Sequence, residues 1–211
     1  MMPLKFWESG EMRSTFKKAL TLGLATIVAG AVPVGAALAG ALADAATRAE
    51  QLAASGDAAG ARAAIRDAVS DFSAGLPFAV GTATFVASDP TGFGMFEPRR
   101  DNVFKPGEKI VAYIEPMGLL WKPAQVPDKM ETRFTVDFDL LDAGGTVLGS
   151  QKAFGNFNFT GVTKNSEIFA TLTLDVSEAP VGSYVLRYNL NDTNSGKTAS
   201  VDLPFSIAVT P

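Results

Sequence analysis

The chain contains no cysteine and no histidine. Without a thiol or an imidazole, a disulfide, a zinc site of the Cys/His kind, a Ser-His-Asp triad and a Cys-His dyad are all excluded within these 211 residues. Positive charge is also in short supply: 18 Lys and Arg stand against 22 Asp and Glu, a formal net charge of -4. A dedicated nucleic-acid binder needs a basic face to displace counterions from phosphates, and this balance argues against one. What is present is the complement of a globular chain, 47% hydrophobic and 19% charged with 20 Gly and 12 Pro, enough for one core of domain size.

The longest uncharged run lies near the start. Lys17 and Lys18 precede an uncharged segment, residues 19–43, that closes on Ala41-Leu42-Ala43 before Asp44. Basic, apolar and small-residue regions in that order form a secretory signal pattern. Glu8 and Glu11 sit oddly ahead of it, whereas Met12-Arg13-Ser14-Thr15-Phe16-Lys17-Lys18 is an ordinary basic lead, which points to translation starting at Met12 rather than Met1. The alternative is a retained membrane anchor, since the run is long enough to cross a hydrocarbon core of about 30 Å. Gly30, Pro33, Gly35 and Gly40 weaken such a helix. Either way the basic flank stays inside and the remainder lies outside the cytoplasm, in the periplasm or secreted, or anchored at the inner membrane. Cleavage would remove Lys5, Arg13, Lys17 and Lys18 but only Glu8 and Glu11, leaving a more acidic protein. With no cysteine to carry a lipid, the lipoprotein route is closed.

Residues 44–77 are rich in helix formers and broken once, at Ser55-Gly56-Asp57, which predicts a helical pair. Ala61, Ala64, Ile65, Ala68 and Phe72 recur at helical spacing, opposite Arg62, Arg66, Asp67, Ser70 and Asp71. The pair resembles a fragment of a tetratricopeptide-type repeat. Solenoids need about three copies, however, and no second copy follows, so a helical hairpin covering the next domain is the simpler expectation.

From residue 78 onward the periodicity is that of strands. Phe134, Val136, Phe138 and Leu140 alternate with Arg133, Thr135, Asp137 and Asp139, and Asp142-Ala143-Gly144-Gly145 turns the chain back. The alternation returns in Ile168, Ala170, Leu172 and Leu174, in Tyr184, Leu186, Tyr188 and Leu190, and in Val201, Leu203, Phe205 and Ile207. With 79–86 and 109–115, seven or eight strands and no intervening helices predict a mainly β domain over 78–211, built as a two-sheet antiparallel sandwich. Pro204 marks its strand as an edge.

The segment Ala179-Pro180-Val181-Gly182-Ser183-Tyr184-Val185-Leu186-Arg187-Tyr188, then Asp192, Ser195-Gly196-Lys197 and Leu203-Pro204-Phe205-Ser206-Ile207, resembles the closing hairpin of bacterial immunoglobulin-like and fibronectin-like domains. Together with Asn102-Val103-Phe104-Lys105-Pro106-Gly107-Glu108 opening a strand, it looks like exported proteobacterial proteins of this build. The resemblance implies an immunoglobulin-like fold and carries over no catalytic or ligand residue.

Candidate chemistry is sparse. Asp137 and Asp139 share one strand face, and with Asp142 they could contribute to a calcium site, yet such a site needs six or more oxygens, so an outward polar face is the plainer expectation. The 191–196 segment opens like a calcium loop, but its twelfth position from Asp192 is Leu203, which points to a hairpin turn. Phe154, Phe157 and Phe159 fit a sugar-stacking platform or, more simply, core packing. Glycoside hydrolysis needs two carboxylates about 5 to 9.5 Å apart; Glu97, Glu108, Glu115, Asp137 and Asp139 are available and nothing selects a pair. Met95, Met117 and Met130 are too scattered for a copper carrier, so no metal or cofactor is expected.

The loop 91–108 places Phe93, Met95 and Phe96 beside Glu97, Arg99, Arg100 and Asp101, and the loop 117–129 carries Trp121 with Lys122. Aromatic and Arg side chains supply most contact energy in binding surfaces, which makes Phe93, Phe96, Arg99, Arg100, Trp121 and Lys122 the candidate binding residues. If the two loops share one end of the domain, they make an apolar patch with a basic rim. Alternatively Phe93 and Phe96 plug the sandwich, and Arg99 or Arg100 pairs with Asp101 or Glu97. The sequence thus predicts a non-catalytic, exported binding or envelope-interaction module for an envelope protein or a glycan. Its alternatives are a carbohydrate-binding or carbohydrate-cleaving protein and a structural subunit assembling through edge strands.

Overall fold

A computed structural model of the chain describes residues 34–176 and 179–209. The expected start at Met12, the basic lead and most of the apolar leader lie outside the described residues. Helix α1, Val34–Ala54, begins ahead of the expected boundary at residue 44 and runs through the small-residue motif at 41–43. Gly56, at φ 89°, then ends it: its N–H bonds Ala53 O at 3.0 Å, and that of Asp57 bonds Leu52 O at 2.9 Å. Only glycine takes that left-handed position cheaply. Asp57 starts α2, Ala58–Gly75, by accepting the Gly60 N–H at 2.8 Å. No helix among the described residues is long and apolar enough to cross a membrane.

Nine strands follow among the described residues: β1 (Ala79–Phe85), β2 (Val103–Phe104), β3 (Lys109–Met117), β4 (Lys122–Pro123), β5 (Met130–Asp142), β6 (Val147–Gly161), β7 (Ala170–Asp175), β8 (Gly182–Asp192) and β9 (Thr198–Ile207). The mainly β expectation holds. Strands β1, β3 and β7 form a three-stranded antiparallel sheet with β3 central. The larger sheet runs β2-β9-β8-β5, with β6 along the far side of β5 and β4 beside the start of β5. All its pairings are antiparallel except β2 on β9, where Val103 meets Ser206 and Phe104 meets Ile207 in parallel.

The apolar rows read from the sequence fall inward and meet in one cluster drawn from both sheets. Phe85 of the small sheet packs edge-on against Phe104 and Phe205 of the large one, with centroids 5.2 and 6.0 Å apart. Phe157 and Phe159 both stack on Phe134, at 4.8 and 6.2 Å, and Phe154 meets Phe138 edge-on at 4.8 Å. These three phenylalanines thus pack within the protein. Pro204 sits where its strand has little cover: the N–H groups of Ser206 and Ala208, on the same side, bond Asn102 O and Phe104 O of the short β2 segment. Its missing N–H therefore points to the outer edge, where the loss is smallest.

Candidate functional site

Two loops and the end of α2 converge at one end of the sheets, and the residues that hold them there are identifiable. At Gly118, φ 85°, a side chain would bring a Cβ to 3.0 Å from Ser73 O, so this position lets the turn after β3 lie directly against α2. The next residue but one is clamped from the β8–β9 hairpin. Asp192, 1% exposed, accepts the Leu120 N–H at 3.0 Å, and Asn194 Nδ2 donates to Leu120 O at 2.8 Å. The same carboxylate accepts the Asn194 N–H at 2.9 Å and the Ser195 hydroxyl at 2.6 Å, so a buried charge is fully hydrogen-bonded. The 191–196 segment is therefore a hairpin turn, as its glycine suggests.

Helix α2 is docked from its C-terminal end. Lys197 Nζ donates to Ala74 O at 2.6 Å and Leu76 O at 2.8 Å, placing a cation at carbonyls the helix leaves unpaired. Lys164 pairs with Asp71 of the same helix.

The loop 91–98 is shaped by Met95 and Gly92, whose backbones bond at 3.0 Å. Its underside rests on Tyr113. Ile110, Ala112 and Ile114 of β3 face the core, so Val111, Tyr113 and Glu115 take the other face. Phe96 and Phe169 both stack on Tyr113, with centroids 4.2 and 5.3 Å away, and the tyrosine is fully buried. The Tyr113 hydroxyl accepts the Gly94 N–H at 2.7 Å and donates to Glu115 Oε1 at 2.6 Å. Burial, followed by the Glu115 carboxylate, pushes the Tyr113 phenol above its ordinary value, so it stays a donor.

Between these parts lies a cleft of about 390 Å³. Phe93 from the loop 91–98, Met117 at the end of β3, Trp121 and Ile168 supply apolar surface, while Ser70 and Ser73 come from α2. Glu115 and Glu167 are the charged residues of its wall. Phe93 is 38% exposed, whereas Trp121 is only 8% exposed and donates its indole N–H to Asn165 O at 3.1 Å.

The six candidate binding residues are thereby divided. Phe93 and Trp121 both line the cleft, as loops sharing one end would require. Phe96 covers Tyr113. Arg99 is engaged elsewhere: it pairs with Glu108 at 2.6 Å, donates to Val103 O at 3.0 Å and lies 4.1 Å over the Phe104 ring. The expected partners were Asp101 and Glu97; Asp101 contributes only its backbone carbonyl, at 3.3 Å. Lys122 donates to Asn194 O at 2.6 Å, and Arg100 is exposed outside the cleft wall. The basic rim is accordingly corrected to an acidic one, because the cations nearby are spent on holding loops.

The acidic cluster is corrected too. Asp137 is 9% exposed, and accepts the Ala153 N–H at 2.8 Å and the Lys152 ammonium at 2.9 Å. The β5–β6 register slips here, and Ala153 takes φ 48°, so the carboxylate organises a bulge rather than only solubilising a face. Burial pushes its carboxyl up, but the Ala153 N–H, Lys152 and Asn191 outweigh burial and hold it below the ordinary range. Asp139 bonds Ser150 and Asn189, and Asp142 caps its own turn through the Gly144 and Thr146 N–H groups. Among the described residues no acidic group is arranged to hold a metal ion.

Glu167, Asn165, Ser70 and Ser73 were not singled out by the sequence as site residues. Residues 162–167 carry no periodicity, and Ser70 reads as part of the polar face of α2. Tyr113 and Glu115 had a signal, the parity of β3, which places them opposite its core row.

No protein-family model matches the sequence, and no curated protein matches it. Among solved structures, the fold is distantly similar to a family 123 glycoside hydrolase from Clostridium perfringens, at TM-score 0.36 and 12% identity over 62% of this chain and 28% of that one. It is also distantly similar to a conjugative transposon lipoprotein from Bacteroides eggerthii, at TM-score 0.27 and 11% identity over 61% of this chain and 96% of that one. Likenesses at this level carry no argument about fold family or activity.

Proposed function

We propose that the protein is an exported, non-catalytic binding module of immunoglobulin-like build, whose ligand site is the cleft between Phe93 and Trp121. The observation that supports this most directly is the convergence itself. Two loops separated in sequence, a helix end and the 165–168 segment are held together by a buried carboxylate and two lysines around a concave, mostly apolar space of ligand size. Export rests on Lys17, Lys18 and the uncharged run behind them.

The test is a fragment screen of neutral, cationic and anionic small molecules against the full chain, with binding mapped by backbone and indole N–H shifts. Shifts grouped at Phe93, Trp121 and residues 165–168 are the expected result. Fragments that bind elsewhere, or no binder at all, would overturn the proposal. The mass of the mature protein recovered from the cell envelope tests export, with a start near Asp44 expected and a retained full-length chain in the cytoplasm as the contrary result.

A second reading, carbohydrate cleavage, is favoured by one observation: Glu115 and Glu167 line the same cleft. Release of reducing sugar from envelope glycans, abolished by Glu115→Gln, would establish it; no release leaves the binding reading in place.

A further inference from the structure

We propose that the protein forms a symmetric dimer through the free edge of β6, with Asn158 of one copy opposite Asn158 of the other; the inference does not rest on the cleft. At 15 residues β6 is the longest strand among those described, and β5 alone pairs with it, so one of its edges has no partner among the described residues. Which backbone groups lie on that edge follows from the pairing. The Arg133 carbonyl accepts the Thr193 N–H at 3.0 Å, on the β8 side of β5, so Arg133 turns its backbone groups away from β6, while Thr132 and Phe134 turn theirs toward it. Phe134 pairs with Phe157 and Thr132 with Phe159, so these two phenylalanines spend their N–H and C=O groups on β5. Those of Asn156, Asn158 and Thr160 therefore point outward, and all three residues are exposed.

An open edge invites another strand, and proteins guard against it with charge, proline, bulges or brevity. The other edges of the two sheets are guarded in this way: β2 and β4 are two residues each, β7 is six, and β1 is interrupted by a register shift between Val80 and Ala83. Between Lys152 and Lys164, by contrast, the chain carries no charge and no proline, and the bulge at Ala153 lies ahead of the open segment.

A second copy fits this edge by symmetry. A two-fold axis through Asn158, perpendicular to the sheet, sets the strands antiparallel and places Asn158 opposite its image, Asn156 opposite Thr160, and Phe157 opposite Phe159. The outward residues of both copies then meet, and each pair exchanges N–H and C=O groups. A slip of one residue would set outward groups against groups already spent on β5 and turn the core face of one copy to the outside. A slip of two, in either direction, would set a phenylalanine against Gly155 or Gly161. The side chains favour the same register. Phe157 and Phe159 are only partly buried where they stack on Phe134, and they gain the partner's rings along the core face, in the pairs where side chains approach most closely. On the outer face, asparagine meets asparagine and threonine, groups that donate and accept at once. No unpaired charge meets its image: Lys152 and Lys164, which flank the segment, are paired with Asp137 and Asp71 of their own copy.

The experiment is sedimentation velocity of the full chain over a concentration series, for the wild type, Asn158→Lys and Asn158→Asp. The expected result is a concentration-dependent dimer in the wild type that is lost in either variant, because like charges then stand directly opposite each other on the axis. Mixing the two variants restores a dimer, since each lysine now faces an aspartate. Asn158 is exposed, so both variants are expected to keep the wild-type unfolding midpoint. Amide exchange reads the same geometry: the Asn156, Asn158 and Thr160 N–H groups slow roughly tenfold or more on dimerisation, while those of Phe157 and Phe159 are protected at every concentration. A monomeric wild type, a dimer that survives both substitutions, or variants that stay monomeric when mixed would overturn the inference. Association through the uncharged run at 19–43 would be indifferent to residue 158 and so belongs to the second of these outcomes.

Discussion

Asp192 and Leu120, far apart in sequence, are joined by a single charge-assisted hydrogen bond of 3.0 Å, from the Leu120 N–H to the Asp192 carboxylate. That bond fixes the turn carrying Trp121 to the β8–β9 hairpin, and so couples the stability of the domain to the shape of the cleft.

Asp192→Asn tests the coupling. An amide in place of the carboxylate would point a donor at groups that already donate, so one or more buried N–H groups lose their acceptor. The expected cost is about 2–4 kcal/mol in urea unfolding, accompanied by movement of the Trp121 indole signal. An unchanged midpoint and an unmoved indole signal would contradict the account.

Arg99→Ala is expected to destabilise by about 2 kcal/mol, because the ion pair to Glu108 is partly buried and the guanidinium also bonds Val103 O and covers Phe104. Arg99→Lys keeps the charge but not the planar fork, and recovers less than half of the loss. Ligand binding at the cleft stays unchanged in both, which separates a loop-holding Arg99 from one that contacts ligand.

Gly155→Ala places a Cβ 2.6 Å from the Phe157 ring and 2.9 Å from Leu172 of the opposing sheet. Both neighbours belong to the packed core, so about 1–3 kcal/mol of destabilisation is expected. A neutral outcome in thermal unfolding would show that the two sheets lie farther apart than described.

Acid should weaken the fold in a definite window. Asp137 and Glu108 are both held below the ordinary carboxylate range; for Glu108, burial acts upward and is outweighed by the Lys105 N–H and Arg99. A carboxyl whose folded pKa is depressed contributes stability that is complete above its unfolded value, about 4, and is lost as the pH falls through the folded one. Stability between pH 7 and 5 is therefore expected to be insensitive to these groups, with a decline below about pH 4. In Asp137→Asn that decline is shallower. An equally steep decline in the variant would rule out this assignment.

Much of the β domain was legible because period-two alternation is set by the pleat itself. The row Tyr184, Leu186, Tyr188 and Leu190 points inward as read, and its parity continues to Asp192, which reads as a turn residue by type but as a buried one by position. The hairpin at 142–145 and the helix break at Gly56 were visible because only a few residue types serve those backbone angles. The site was half legible. Phe93 and Trp121 stand out as aromatics in loops, but which cations would line the cleft depends on long-range partners such as Glu108 for Arg99 and Asn194 for Lys122. No local spacing encodes those pairings. Asp137 was misjudged for a related reason: the bulge that buries it is created by residues of β6, not by its own strand.

The most direct measurement is the Trp121 indole N–H signal of the full chain, assigned with Trp121→Phe, followed during titration with a cleft-binding fragment in the wild-type protein and in Phe93→Ala. Phe93 is exposed, so its truncation is expected to leave the fold intact. The account predicts a saturable shift of the Trp121 signal in the wild type and roughly tenfold weaker binding in the variant. A fragment that binds both proteins equally, with the Trp121 signal unmoved, would contradict it.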